Sequence, residues 1–362
     1  MIIPTLERGG AEKQLFMLAR GLDRARFSPL VVALTRGGPY EDDLRDAGVP
    51  CAVIGKNRRF SVSALLRLRR LLARERPDVV HTWMFAANAV GRVAARLAGR
   101  PRVVIGERCV DKWKGRGRLA LDRALVRWTD AVAANSGSVA DWLARVGVPR
   151  DMVRVIPNAF DPAGCPARPL DELGGFGDAP RVTSMGRLWP QKRFDVVLRA
   201  MRGIVDAFPA ATLTIAGEGP LRAELEALAG RLGLGGAAKM PGRVADAPAL
   251  LRGSDLFLFA SDWEGMPNAV MEAMYVGVPV VAAAAPGVVD LVKDGVNGVL
   301  APLGDGAAMA AAAVALLRDT ERMQSLAQRA RRDIVEGYSV AAMVQAYEGL
   351  YERVAAGREG AR

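Results

Sequence analysis

The chain has 362 residues, of which 51% are hydrophobic and 25% are charged, a balance that excludes a disordered or fibrous protein. This length exceeds one ordinary hydrophobic core and suits two domains of the usual size. No uninterrupted apolar stretch reaches the roughly 20 residues that span a bilayer, and the N-terminus lacks the layout of a secretory signal. These features predict a cytoplasmic globular protein.

The net charge of +11 is distributed unevenly along the chain. Residues 1–165 carry 29 Lys and Arg against 16 Asp and Glu, whereas the remainder carries 21 against 23. A basic surface on the first half can serve nucleic acid, anionic lipid head groups or a phosphorylated acceptor. Charge alone does not choose among these partners.

The first half repeats a short apolar run followed by a segment of helical period, which is typical of α/β folds. Residues 1–4 leave little length for pairing, so we expect the first strand to be nearly absent. The helix over 61–76 is predicted to be basic and amphipathic. The pattern predicts helices over 11–22, 61–76 and 89–97, and strands over 28–35, 78–81, 102–105 and 131–134.

Polar side chains follow the predicted strands of the first half. His81, Glu107 and Asn135 stand at or just after the ends of three of these strands. Because ligands of open parallel sheets bind at the carboxyl ends of the strands, we expect these residues to face a cleft. His81 is the only histidine of the chain, and a lone histidine is more often structural than catalytic. Both interpretations of His81 stay open at this point.

A stretch rich in Pro, Gly and Asp between 157 and 180 breaks the pattern, as expected of a domain boundary. After it the doubly wound pattern resumes and ends in an amphipathic helix. We assign 1–163 to a first domain, 164–180 to a linker, 181–339 to a second domain, and 340–362 to a C-terminal helix and tail. The second half is predicted to contain strands over 182–185, 212–216, 256–259 and 278–282, and a helix over 221–232.

The segment 261–279, with the sequence SDWEGMPNAVMEAMYVGVP, carries the strongest chemical signal. It follows a strand and opens a helix, because Pro267 suits the first helical turn and Gly277 suits the position just past the helix end. The unpaired amides of a helix N-terminus attract anions, so a sugar diphosphate would fit there. Glu264 and Glu272 have seven residues between them, and their carboxylates can accept hydroxyl hydrogens from two parts of an extended ligand.

Five further motifs accompany this segment along the chain. They are GGAEKQ at 9–14, PDVVHT at 77–82, VIPNAFD at 155–161, GRLWPQK at 186–192 and AGEGPL at 216–221. Each motif alone is weak, but in this order they make nearly the whole sequence resemble glycosyltransferase family 4. The resemblance implies an α/β chain of the GT-B fold, with two facing Rossmann-like, doubly wound parallel-sheet domains and a C-terminal helix that crosses back to the first domain. It also implies sugar transfer with retention of anomeric configuration.

By this resemblance, Arg187 and Lys192 hold the diphosphate of the donor, where fixed cations act on the charge that develops as the nucleoside diphosphate departs. Glu264 and the amides after it contact the transferred sugar and its phosphate, and Glu272 accepts from the ribose hydroxyls. Catalytic roles are thereby implied for Arg187, Lys192 and Glu264. The implied donor-binding residues are Gly10, Gly186, Arg187, Lys192, Glu218, Glu264, Gly265, Met266, Asn268 and Glu272.

The first domain is implied to supply the acceptor or sugar side of the site, through Gly9, His81, Glu107 and Arg108. Gly9 and Gly10 are predicted to form a tight turn through which backbone approaches the ligand. Many family members carry a histidine where this chain has Glu107 and Arg108. A retaining transfer needs no strong enzyme base, because the departing phosphate oxygen can take the acceptor proton.

We expect no metal ion and no cofactor. Cys51, Cys109 and Cys165 are widely spaced and odd in number, which predicts reduced thiols rather than a disulfide framework or a zinc site. Neither half contains an Asp-x-Asp triplet, the usual metal-binding signature of the other major glycosyltransferase fold. Arg187 and Lys192 are therefore predicted to replace a divalent metal.

Two basic clusters of the first half can form a surface for anionic lipid or for the acceptor, although a merely solvated basic face is an equal alternative. They would place the protein peripherally on the inner face of the membrane. One cluster surrounds Trp113, and the other lies on the predicted helix 61–76. Their members are Lys112, Lys114, Arg116, Arg118 and Arg123 in the first, and Arg67, Arg69, Arg70 and Arg74 in the second.

The sequence therefore predicts a metal-independent, retaining glycosyltransferase that moves a sugar from a nucleotide-diphosphate donor to a saccharide or lipid-linked acceptor. A nucleotide-sugar epimerase or a phosphorylase of the same fold is the alternative, since fold does not fix function. A nucleic-acid-binding protein would explain the charge but not the two cations and two glutamates, and no recognition helix or stacking motif is present. We expect no nucleic-acid partner.

Overall fold

The computed structural model describes residues 1–57 and 61–357. The chain divides into two compact units: unit 1 comprises Met1–Ala159 with Val340–Arg362, and unit 2 comprises Phe160–Ser339. The predicted C-terminal tail ends outside the described part. Within the described part, no helix combines the length and the apolar character that a membrane crossing requires.

Unit 1 contains a parallel sheet of seven strands that are connected by helices. The strands are β1 (Ile2–Thr5), β2 (Val31–Arg36), β3 (Cys51–Val53), β4 (Val79–Trp83), β5 (Arg102–Glu107), β6 (Ala131–Ala134) and β7 (Val153–Val155). The helices are α1 (Gly10–Gly21), α2 (Tyr40–Asp46), α3 (Val62–Glu75), α4 (Met84–Leu97), α5 (Arg116–Val126) and α6 (Gly137–Arg145). The strand order β3-β2-β1-β4-β5-β6-β7 is that of a doubly wound, Rossmann-like sheet.

Strand β1 lies in the interior of this sheet, so the expectation that the first strand is nearly absent was wrong. Ile2 and Ile3 are buried, and β1 pairs with both β2 and β4. A strand with a neighbour on each side gains pairing along both edges, and two isoleucines supply the apolar surface that a buried parallel strand needs. Four residues are therefore enough here.

Helix α3 shows how local signals fix element boundaries. The Ser61 hydroxyl accepts a hydrogen bond of 3.2 Å from the backbone N–H of Ala64 and thereby caps the first turn. Arg76 adopts the left-handed conformation at φ 45° and ends the helix. The predicted range 61–76 therefore includes both caps of α3.

Unit 2 is built on a second parallel sheet, of six strands. The strands are β8 (Arg181–Met185), β9 (Thr212–Ala216), β10 (Ala238–Gly242), β11 (Leu256–Phe259), β12 (Val280–Ala283) and β13 (Val299–Ala301). The helices are α7 (Phe194–Ala207), α8 (Arg222–Arg231), α9 (Ala247–Arg252), α10 (Asn268–Val276), α11 (Gly306–Leu317) and α12 (Thr320–Gly337). The order β10-β9-β8-β11-β12-β13 is again doubly wound. The segment 164–180, predicted as a linker, packs within unit 2, where Arg168 donates to the Ser254 carbonyl at 2.6 Å.

The last helix, α13 (Val340–Ala356), belongs to the core of unit 1. Its apolar side chains pack against α1, and Tyr347 is fully buried. A Cβ atom at Gly21 of α1 would lie 2.7 Å from the Val344 side chain, so this glycine permits the close approach of the two helices. The prediction that the C-terminal helix returns to the first domain is confirmed.

Candidate functional site

Three loops at the carboxyl ends of β8, β9 and β11 form a connected group, which we call the unit 2 loop cluster: 186–193, 217–221 and 261–267. The backbone N–H of Leu188 donates to the Glu218 carbonyl at 2.8 Å and joins the first two loops. Gly217, at φ 149°, lies so close to the first loop that a Cβ atom there would be 1.9 Å from the Gly186 carbonyl oxygen. Only glycine fits this crossing of the two loops.

Side chains of the first loop hold the third loop in place. The Gln191 amide donates to the Trp263 carbonyl at 2.6 Å, and the N–H of Asp262 donates to the Gln191 carbonyl at 2.9 Å. Arg193 adopts the left-handed conformation at φ 48°, which is unfavourable for a residue with a side chain. Its guanidinium binds Asp195 and Asp262, each at 3.0 Å, and the second contact ties the first loop to the third.

The residue between Gln191 and Arg193 is Lys192, and its ammonium binds the Glu264 carboxylate at 2.5 Å. Both side chains are largely buried, and the Lys192 ammonium also lies 5.2 Å from the centre of the Phe259 ring. Glu264 is anchored through its backbone N–H, which donates to the Pro286 carbonyl at 2.9 Å. A Cβ atom at Gly287 would lie 2.6 Å from the Glu264 carbonyl oxygen, so glycine is required beside it.

Helix α10 begins directly after the third loop. Pro267 occupies the N-cap rather than the first turn as predicted, so its missing N–H falls just before the helix. Gly277 ends the helix in the left-handed conformation at φ 92°, as predicted. Glu272 stands about one turn inside α10 and is half-buried. The start of this buried helix thus faces the same end of the sheet as Lys192.

The predicted donor-binding residues collect here, since all except Gly10 lie in the unit 2 loop cluster or in α10. The Arg187 and Glu218 side chains are exposed, and the Arg187 guanidinium lies 5.8 Å from the Trp189 ring. Gly265 and Met266 are buried. The cluster therefore presents one exposed cation, Arg187, beside the ion-paired Lys192.

Gly9 and Gly10 lie in unit 1, where Gly10 is the first residue of α1 and Gly9 is its N-cap. A Cβ atom at Gly9 would lie 2.3 Å from the Glu12 carboxylate, which also accepts from the Thr5 hydroxyl at 3.1 Å. A side chain at Gly9 would displace this carboxylate. Gly9 has an extended backbone at φ −129° and Gly10 already belongs to α1, so the two glycines do not form the predicted tight turn between them.

His81 is buried in an aromatic group against α13. Its Nδ1 lies 2.7 Å from the Tyr351 hydroxyl and 3.2 Å from the indole nitrogen of Trp83. The ring centre of Tyr347 is 5.3 Å away. Burial lowers the pKa of His81 well below its usual value, so the ring is neutral. These contacts favour the structural interpretation of His81.

The expectation that His81 and Glu107 face a cleft was wrong, since both are 2% exposed and bind partners inside unit 1. Asn135 is 1% exposed as well, but its amide oxygen has no hydrogen-bond partner among the described residues. The Glu107 carboxylate instead lies 3.3 Å from the ammonium of Lys114. Burial raises the pKa of the Glu107 carboxyl to about 7, against the opposing effect of Lys114. The sequence does not reveal this pair, because the conformation of the loop between β5 and α5 brings the two side chains together.

Lys114 was predicted as part of a basic surface, and the structure corrects this. Its side chain is fully buried, and its ammonium also binds Asp111 at 3.1 Å and Asp122 at 3.0 Å. With Glu107, three carboxylates therefore compensate the charge of Lys114. Asp122 in turn binds the buried Arg92 at 2.6 Å. Trp113, in contrast, is 48% exposed in the loop that precedes α5.

Arg108 follows β5 directly, and its guanidinium has three neutral neighbours. It donates to the Tyr347 hydroxyl at 3.2 Å and to the Asn158 amide oxygen, and it lies 4.6 Å from the centre of the Trp83 ring. The Arg108 carbonyl accepts from the Asn135 amide at 3.3 Å. Asn158 was not among the predicted site residues, although it lies inside the VIPNAFD motif.

Two family descriptions match this chain, one for each half. "Glycosyltransferase Family 4" matches residues 8–163, and "Glycosyl transferases group 1" matches residues 171–333. A crystal structure of Anabaena Alr3699/HepE in complex with UDP and glucose superposes with a TM-score of 0.85 at 24% identity, covering 97% of this chain and 99% of that one. The two units have the GT-B fold, and the two family matches identify the chain as a glycosyltransferase.

Curated relatives agree with this class. The D-inositol 3-phosphate glycosyltransferase of Salinispora arenicola (strain CNS-205) is 30% identical over 303 residues, which is 75% of this chain and 67% of the relative. The UDP-Gal:alpha-D-GlcNAc-diphosphoundecaprenol alpha-1,3-galactosyltransferase of Escherichia coli is 28% identical over 331 residues, which is 86% of this chain and 84% of the relative. The chain belongs to glycosyltransferase family 4.

Proposed function

We propose that this protein transfers a sugar from a nucleotide-diphosphate donor to a saccharide or lipid-linked acceptor in polysaccharide or glycolipid biosynthesis. The transfer retains the anomeric configuration and needs no metal. The observation that carries this proposal is the contact of Lys192 with Glu264 in a loop cluster that also contains Arg187. Such a cluster offers cations for a diphosphate and a carboxylate for a sugar.

Lys192 has two alternative partners in this proposal, Glu264 in the free protein and the diphosphate of the bound donor. When the donor binds, its diphosphate attracts the ammonium and takes over part of the charge compensation that Glu264 provides in the free protein. The carboxylate is then released to accept a hydroxyl hydrogen from the sugar. Arg187 is exposed and adds the second cation at the oxygens that gain charge as the glycosyl bond breaks.

Glu272 is the residue that binds the ribose of the donor in this proposal. It lies in the first turns of α10, whose N-terminal end carries a partial positive charge that favours phosphate. A carboxylate there accepts from the two ribose hydroxyls of a nucleoside diphosphate. Glu264 and Glu272 would in this way hold the groups on either side of the diphosphate.

The relatives support the choice of substrates. The Escherichia coli relative is named for UDP-Gal and for an acceptor joined to diphosphoundecaprenol. The Anabaena structure contains UDP and glucose. We extend both to this chain and propose a uridine nucleotide sugar as the donor and a diphosphate-linked lipid saccharide as the acceptor.

The test is an assay of purified protein with a panel of UDP-, GDP- and dTDP-sugars and alkyl-diphosphate saccharides, with and without excess EDTA. We expect nucleoside diphosphate release that requires acceptor, is unchanged by EDTA, and yields a product whose NMR anomeric coupling matches the donor. Activity lost with EDTA and restored by manganese would reject metal independence, and an inverted product would reject retention. Sugar interconversion without acceptor would indicate the epimerase instead.

A peripheral membrane location is part of the proposal. Trp113 is exposed, and the Arg118 guanidinium lies 4.9 Å from the centre of its ring. Lys112, Arg116 and Arg123 are also exposed in this part of the chain. An exposed tryptophan among cations suits the interface of an anionic bilayer. We expect the protein to float with vesicles that contain phosphatidylglycerol and to be released by salt, whereas vesicles of phosphatidylcholine alone should not bind it. Failure to float with the phosphatidylglycerol vesicles would remove the membrane from the proposal, and equal flotation with both vesicle types would remove the role of the cations.

A further inference from the structure

Arg108 differs from the fully buried cations of unit 1 in how its charge is compensated. Arg92 and Lys114 are both buried, and each binds at least one carboxylate. Arg108 is partly buried, but among the described residues its guanidinium donates only to two neutral oxygens. Burial lowers the pKa of Arg108, which reflects the same lack of an acidic partner. Buried charges are normally paired, so this one lacks its counter-ion.

The neutral partners orient the guanidinium without neutralising it. Asn158 is 5% exposed and Tyr347 is fully buried, so both hydrogen bonds are held by immobile groups. The Trp83 ring at 4.6 Å supports the flat face of the guanidinium. The two hydrogen bonds use two of the five N–H donors that a guanidinium carries, which leaves others for a ligand.

A second, independent observation lies beside Arg108. Asn135 is 1% exposed, and its amide nitrogen donates to the Arg108 carbonyl and to the Asn158 amide oxygen, each at 3.3 Å. Because both neighbours are acceptors, the amide nitrogen must face them. The amide oxygen of Asn135 is then buried without a hydrogen-bond partner among the described residues. Such an oxygen suits a hydroxyl donor.

We propose that Arg108 binds an anionic group, phosphate or carboxylate, on the sugar or on the acceptor, and thereby makes the enzyme selective for an anionic substrate. The position is the carboxyl end of β5, the end of a parallel sheet at which ligands bind. A guanidinium binds either oxyanion through paired hydrogen bonds. This inference rests on the proposed sugar transfer for its meaning, but its binding test does not require turnover.

The experiment measures binding by calorimetry with two matched pairs of probes. The acceptor pair is octyl-diphospho-N-acetylglucosamine and octyl N-acetylglucosaminide, titrated into protein saturated with UDP so that the nucleotide site is filled. The donor pair is UDP-glucuronate and UDP-glucose, titrated into free protein. We expect the wild type to prefer the anionic member of one pair at least tenfold, and the pair concerned identifies whether the anion belongs to the acceptor or to the sugar.

Arg108→Gln should reduce that preference at least tenfold while the affinity for the neutral probe changes less than threefold. Arg108→Lys keeps the charge but loses the paired N–H groups of the guanidinium, and it should reduce the anion preference at least threefold. This variant provides the test if Arg108→Gln does not fold. The matched control is Arg102→Gln, at the opposite end of β5, where the guanidinium binds Asp130 at 2.7 Å, and it should keep the preference.

A wild type without anion preference overturns the inference, and so does a preference that survives in both Arg108 variants. Equal loss of affinity for charged and neutral probes would mean that Arg108 only holds Asn158 and Tyr347 in place. The proposed function is judged separately by transfer activity of the wild type. Active enzyme with unaltered Arg108 variants refutes this inference alone, and inactive enzyme with an Arg108-dependent preference refutes the proposed function alone.

Discussion

The carboxyl ends of the two sheets carry charged residues, but unit 1 and unit 2 use them differently. In the unit 2 loop cluster, Arg187 is exposed, and the largely buried Lys192 has one carboxylate partner, Glu264. In unit 1, Glu107 and Lys114 are buried together in a network of acids. The difference teaches that position at a strand end does not by itself define a binding residue. What matters is how many carboxylates already bind the cation inside the protein: Lys192 has one, whereas Lys114 has three.

The largest effect that would test this contrast is expected for Lys192→Gln. The variant keeps a hydrogen-bonding side chain but removes the charge, and loss of one preorganised group that stabilises transition-state charge costs on the order of 100-fold or more. We expect kcat/KM to fall by about 100-fold in initial-rate assays. Lys239→Gln, an exposed lysine of β10, is the control and should be unchanged. Equal activity of the two variants would contradict the role of Lys192.

Gly217→Ala tests whether the architecture of the loop cluster depends on the crossing of two loops. A Cβ atom would lie 1.9 Å from the Gly186 carbonyl oxygen, and the backbone at φ 149° disfavours a side chain. We expect the free energy of unfolding of the protein to fall by about 2 kcal/mol or more in denaturant titrations. Gly230→Ala in α8, where a Cβ atom meets nothing within 4 Å, should instead be neutral or slightly stabilising. Similar stability of both variants would show that the loops can separate.

Glu272→Ala tests the carboxylate of α10 separately from the cations of unit 2, because Arg187 and Lys192 stay in place. Hydrogen bonds to charged groups are typically worth roughly 1.5 to 3 kcal/mol, so donor affinity should weaken by about tenfold or more. Calorimetric titration with the nucleoside diphosphate measures this change. Glu224→Ala, an exposed residue of α8, should bind like the wild type. Unchanged affinity in Glu272→Ala would remove this residue from the donor site.

The smallest effect is expected in the buried network of unit 1. The Glu107 carboxyl has a pKa of about 7 in the folded protein against its usual 4.5, so the folded state binds the proton more tightly than the unfolded state. Its contribution to the free energy of unfolding is therefore largest below pH 4.5 and decreases as the pH rises to about 7.

Glu107→Gln removes this titration. Between pH 6 and pH 7.5, denaturant unfolding should show the variant gaining stability relative to the wild type by about 1 kcal/mol. The exposed Glu75→Gln is the control and should run parallel to the wild type. A constant difference between Glu107→Gln and the wild type across this range would show that Glu107 titrates alike in both states.

The sequence predicted the regular elements because their signals are local. The strands over 131–134, 212–216 and 256–259 coincide with β6, β9 and β11, and the caps of α3 are the residues at the ends of its predicted range. The existence of β1 was missed because a four-residue strand is defined by its neighbours in the sheet rather than by its own periodicity.

The proximity of the candidate residues in unit 2 was also largely predictable, since they lie in contiguous motifs. GRLWPQK and the double-glutamate segment carry Lys192 and Glu264, which the fold brings into contact although 72 positions separate them. The burial of Lys114 was not predictable, because its acids come from three places in the chain. A single lysine in a basic sequence resembles a surface residue until the tertiary contacts are known.

Helix α13 makes unit 1 discontinuous in sequence, and this affects the order in which the protein can be completed. The residues that cover α1 leave the ribosome only after all of unit 2 has been synthesised. Synthesis of unit 1 begins before that of unit 2, but its last helix, α13, is synthesised after unit 2. A gene fragment that stops at Ala159 would leave the apolar face of α1 uncovered, and a chimera with a relative must exchange both pieces of unit 1 together.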